Sequence, residues 1–92
     1  MTLIIMEKII EYLSAAEYED IDIQGIFEEV ARNGDTILLQ HDGRKTEEQY
    51  SASIIVVEKA DPMLLCNANT IHDALRVVLT KYLELRSSEG IV

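Results

Sequence analysis

Ile54, Ile55, Val56 and Val57 are four consecutive β-branched residues in a chain of 92. Branching at Cβ crowds a helix but suits a pleated strand. Successive side chains of a strand point to opposite faces, so this run is apolar on both. It predicts a central strand over residues 50–59, with one face under a helix and the other under something else. The rest of the chain has to be arranged around it.

Residues 36–42 alternate Ile37, Leu39 and His41 against Leu38 and Gln40, which reads as a second strand. Asp42 and Gly43 supply turn chemistry, and residues 44–48 extend the loop beyond a two-residue hairpin. Ala60, Asp61 and Pro62 break the central strand, and residues 63–67 form a short third one. Its proline stands at the entry, where a missing N–H is tolerated.

Helical period brackets the strands. Ile5, Met6, Ile9, Tyr12, Leu13 and Ala16 recur at spacings of three and four, predicting a helix over residues 3–16 with Thr2 as N-cap. At the other end, Ile71, Ala74, Leu75, Val78, Tyr82 and Leu85 form an inward stripe beside Leu79. Thr70 and Asp73 make a capping box for that helix, and Lys81 and Arg86 suit its negative C-terminal end. Residues 23–33 allow two readings. As a helix, Ile23, Ile26, Phe27, Val30 and Ala31 share a face, Asp22 caps the start and Gly34 ends it. As a strand, Asn33 and Gly34 become a hairpin turn. Alternation through residues 27–30 is poor, so the period favours the helix.

The expected fold is α+β: an N-terminal helix, a short second helix, a three-stranded antiparallel meander, and a long C-terminal helix packed on the sheet in two layers. One domain spans residues 1–92, with 87–92 a frayed tail. The order helix, three strands, helix resembles the double-stranded-RNA-binding domain in topology only. Here the last helix starts Thr70, Ile71, His72 and Asp73, without that family's basic contact residues, so the resemblance implies no RNA binding.

Composition narrows the function. Seventeen acids against eight bases leave a net charge of −9, which argues against a phosphate-backbone binder and hence against direct nucleic-acid contact. A 48% hydrophobic content is too high for a disordered acidic tail. The single cysteine excludes a disulfide-stapled miniprotein and a thiolate zinc cluster. No apolar run approaches the ~20 residues that span a bilayer, and no basic segment precedes residues 1–6. A cytoplasmic protein with no membrane contact is the expectation.

The chemistry-bearing motifs are weak. Asp20, Asp22 and Gly25 look like the start of an EF-hand loop, but the twelfth position is Ala31 instead of a bidentate Glu, so no metal site is expected. Arg44 and Lys45 put two cations on a loop tip without a glycine-rich phosphate cradle. His41 and His72 each precede an Asp, yet neighbouring residues of a strand or helix do not face each other. Cys66 reads as a small buried hydrophobe. No catalytic residue and no cofactor is assigned.

Two surface features remain. Between residues 17 and 29, Glu17, Glu19, Asp20, Asp22, Glu28 and Glu29 stand without a Lys or Arg, an acidic docking patch for a basic protein. Residues 1–46 hold 10 acids against 4 bases and residues 47–92 hold 7 against 4, so the acidity is concentrated in the first half. Leu3, Ile4, Ile10, Val77 and Leu83 lie off the helical stripes as an apolar interface, including one for a homodimer. The leading expectation is a small acidic, non-enzymatic protein-interaction module, a regulator, inhibitor or decoy of a basic nucleic-acid-binding protein. The alternatives are a small enzyme or ligand-binding protein with a site near His41, Tyr50 and His72, and a homo-oligomeric structural domain.

Overall fold

The computed structural model describes residues 5–15, 22–56 and 63–87. They form α1 (Glu7–Ser14), α2 (Ile23–Arg32), β1 (Thr36–His41), β2 (Tyr50–Ile55), β3 (Met63–Ala68) and α3 (Ile71–Ser87). The strands make one antiparallel sheet in the order β1-β2-β3, so the β-branched segment does supply the central strand. Thr36 lies opposite Ile55 and His41 opposite Tyr50; across the other ladder Tyr50 lies opposite Ala68. The helices gather on one face in a two-layer α+β arrangement. There α3 crosses β2 and β3, α2 packs on β1, and α1 packs on both α2 and α3. Ala52, Ile54, Leu75, Val78 and Leu79 are fully buried where sheet and helices meet. Val56, just past the end of β2, is also buried, while Val57 and Pro62 lie outside the described residues. No helix among the described residues is long and apolar enough to cross a membrane.

The segment with two readings is a helix, and its ends explain why. The Asp22 carboxylate accepts the Gly25 N–H at 2.9 Å, satisfying a donor of the first turn. At the other end Gly34 adopts φ +86°. Its N–H donates to the Ala31 carbonyl at 3.0 Å, and the Asp35 N–H donates to the Val30 carbonyl at 3.2 Å. These are the two bonds of a Schellman closure. The glycine that a hairpin would have used ends a helix instead.

The first helix is shorter than its apolar period, running Glu7–Ser14 among the described residues. Thr2 and Ala16 lie outside them. Met6 occupies the cap position and offers no capping oxygen, so α2 supplies the partners. Glu29 accepts the backbone N–H groups of Lys8 and Ile9. Asn33 accepts the Ile5 N–H at 2.6 Å and donates to the Ile5 carbonyl at 2.9 Å. Glu29 therefore does not belong to an acidic docking face. It shares the inner side of α2 with Ile26 and Val30 and is 2% exposed, because positions i, i+3 and i+4 point the same way.

Burial raises the pKa of Glu29 from the ordinary carboxylate value of 4.5, partly opposed by the two backbone donors, and its Oε1 has no hydrogen-bond partner. A raised folded-state pKa means that the folded protein holds the proton more tightly. The stabilising contribution is thus complete below the unfolded pKa and is lost as pH rises through the folded one. Glu29→Gln keeps an accepting oxygen without the charge. As pH rises above 4.5 and through the raised folded value, the parent should lose stability relative to Glu29→Gln, as read from paired urea titrations across pH. Glu29→Ala removes the cap and should cost about 1 kcal/mol. For Gly34→Ala no atom lies within 4 Å of the added methyl, so the cost is conformational alone. A loss of roughly 1 kcal/mol is expected, with the urea midpoint falling and the m-value unchanged.

Candidate functional site

The described residues singled out from sequence fall in several settings. Of the acidic patch, Glu17, Glu19 and Asp20 lie outside the described residues. Asp22 caps α2 and stands 3.9 Å from the Lys8 ammonium, Glu28 pairs with Arg32 at 3.7 Å, and Glu29 is buried. Of the apolar set, Leu3 and Ile4 lie outside the described residues and Leu83 packs against the core. Only Ile10 and Val77 stand out, 47% and 42% exposed. His41 stacks on Tyr50 with ring centroids 4.2 Å apart and meets Gln49 Oε1 at 3.2 Å. His72, on the first turn of α3, faces α1 instead, its Nδ1 2.9 Å from the Tyr12 hydroxyl. Cys66 lies on the sheet face that carries the core, packed against it. Among the described residues no three His, Cys, Asp or Glu side chains gather to hold a metal ion.

The loop cations are spoken for in part. Asp42 accepts the Arg44 N–H at 3.0 Å and its Nε at 3.1 Å, which holds the Asp42 pKa below the usual carboxylate value. That local bonding shapes a turn. Along the outside of α3 a depression of about 420 Å³ is lined by Arg76, Val77, Thr80, Lys81 and Glu84. These residues share one helix face and mix both charges.

Two arrangements were not anticipated. The first is a buried polar cluster at the end of α2. Asp35 takes two bonds from the Arg86 guanidinium, each 2.7 Å, a third from its Nε at 3.2 Å, and one from the Tyr82 hydroxyl at 2.6 Å. Asn33 donates to the same hydroxyl at 3.1 Å. All four residues are at most 5% exposed. Burial, and next the carboxylate beside it, push the Tyr82 pKa far above that of an ordinary phenol, so the hydroxyl stays a donor. Every group already has a protein partner, and no reactive atom faces solvent. The cluster fastens α3 to the turn between α2 and β1, and through Asn33 to the start of α1.

The second is the sheet face opposite the helices. Its rungs set Leu38, Ser53 and Leu65 in a row, with Gln40, Ser51 and Asn67 beside them and Thr36 opposite Ile55. Leu38 and Leu65 are 52% and 53% exposed. Ser51 donates to Asn67 Oδ1 at 2.6 Å. None of these residues is charged, in a chain where 27% are. Known families, curated proteins and solved structures give no match to this chain. The face has therefore to be interpreted from its own geometry. The sequence did carry its signal: Leu38 and Leu65 are apolar at the alternate positions where a solvated strand would hold polar residues.

The polar cluster makes its own prediction. Asp35→Ala takes the Asp35 carboxylate away from a buried guanidinium and should cost about 3–5 kcal/mol of unfolding free energy. Replacing the pair together, Asp35→Leu with Arg86→Met, should cost far less than the two single changes combined. A double-mutant cycle in urea measures the difference.

Proposed function

We propose that this chain is a non-enzymatic protein-binding module that docks through the open face of its sheet. One observation carries the reading. Leu38 and Leu65 stand half exposed on a face that carries no charged side chain among the described residues of its strands, on a protein of net charge −9. An apolar centre with a neutral polar rim of Thr36, Gln40 and Asn67 has the anatomy of an interface core. Its chemistry also selects the partner. A lysine-rich surface would find no countercharge there, whereas an uncharged surface with an apolar centre would meet its like.

His41 stacks on Tyr50 and His72 meets the Tyr12 hydroxyl, and the docking reading calls on neither pair. The decoy reading asks for a continuous carboxylate face, and among the described residues Asp22 and Glu29 already serve as helix caps.

The test is a photo-crosslinking residue at Leu65, with one at Thr80 on the outer side of α3 as control, in the cells that make the protein. A discrete protein adduct from position 65 and none from position 80 is expected. Equal or absent crosslinking at the two positions would overturn the proposal.

A further inference from the structure

We infer that Glu29 is a pH-sensitive latch for α1: the helix is held most firmly when the Glu29 carboxyl is protonated and opens more readily when it is charged. The latch lies in the helical layer, across the sheet from Leu38 and Leu65, and is separate from docking there.

The helix is built to come away as a unit. It packs on α2 and α3, while those two pack on the strands, so its departure leaves the sheet covered. It is eight residues long, and isolated helices shorter than ~12–15 residues are marginal in water. Once undocked, α1 has little helical stability of its own. Its apolar grip is Met6, Ile9 and Tyr12, all buried. Its polar grip has three points: Asn33 on the Ile5 backbone, Glu29 on the Lys8 and Ile9 N–H groups, and the Tyr12 hydroxyl at His72 Nδ1.

Of these points Glu29 is a carboxyl group taken out of water. Its Oε2 accepts the Lys8 N–H, and its Oε1 has no hydrogen-bond partner. When charged, the group therefore leaves an anionic oxygen buried and bare. Protonated at Oε1, it sheds that cost and still accepts at Oε2. From α1, Glu7 opposes the charge and Lys8 favours it, with the Lys8 ammonium 3.9 Å from Asp22. On α2 itself, Glu28 and Arg32 pair with each other at 3.7 Å. From β1 the one titratable residue is His41, at the last position and stacked on Tyr50. From α3, His72 stands at Tyr12, and Arg86 is bound to Asp35. The backbone donors and the positive end of α1 favour the anion, but desolvation outweighs them and raises the Glu29 pKa. Opening α1 returns the carboxyl to water and to its ordinary value. Docking is thus firmest below that value and weakens as pH rises through the raised one.

Amide hydrogen exchange on the whole chain, read by NMR as protection factors at about pH 5 and about pH 7, tests the latch. The Lys8, Ile9 and Ile10 amides should be less protected than Val78 and Leu79 of α3, and less sensitive to low urea, since their opening exposes less surface. The ratio of α1 protection in the parent to that in Glu29→Gln should fall from the lower pH to the higher. Both proteins carry His72, so its titration cancels in the ratio. Glu29→Ala takes the same place in the ratio if the Gln variant does not fold. The Glu29 side-chain carboxyl resonance should titrate above 4.5. A ratio independent of pH, or a carboxyl that titrates at or below 4.5, would overturn the latch. Equal protection and equal urea dependence in α1 and α3 would overturn it too, because α1 would then open only with the whole fold.

Discussion

The contact between Asp35 and Arg86 holds the helical layer in one arrangement. A carboxylate and a guanidinium buried together gain little net stability, because losing water offsets most of their attraction. What the pair fixes is position. Its geometry accepts one placement of α3 against the turn that leaves α2, and the Tyr82 hydroxyl on the same carboxylate narrows it further. Asn33 then carries the constraint across to the backbone of Ile5. Three consecutive residues therefore end one helix, pin a second, anchor the entry to a third and deliver the chain into β1. Gly34 makes this possible: its φ of +86° lets the flanking Asn33 and Asp35 side chains both reach inward.

Much of this was legible in the residues, and the exceptions have a common cause. The β-branched run marked the central strand, the stripe from Ile71 to Leu85 marked α3, and Thr70 caps it by accepting the Asp73 N–H at 3.1 Å. Those signals are local, set by periods of two and 3.6. Glu29, read as a surface acid, and Arg86, which does stand in the last turn of α3, both act over distance. Glu29 looked like one more surface acid, but its carboxylate caps a helix 21 positions earlier. Arg86 looked like a helix-end cation, and it reaches 51 positions back to Asp35. A charged residue on an inward helical position is the only trace such a contact leaves. At Glu29 and Arg86 the period did show it, since position 29 keeps step with Ile26 and position 86 with Tyr82.

The helical layer also bears on the surface left bare. All three helices are tied together on one side of the sheet, so none covers the other side. A solvated antiparallel sheet ordinarily turns charged and polar residues outward. Here β1 and β3 turn outward two leucines and β2 two serines. On one rung the two leucines flank Ser53 from either side. The described acids of the patch read from the sequence lie elsewhere, where Asp22 and Glu29 cap helix starts and Glu28 pairs with Arg32. Those carboxylates and the exposed leucines thus occupy different parts of the described surface, because the helices that carry the acids cover the opposite side of the sheet.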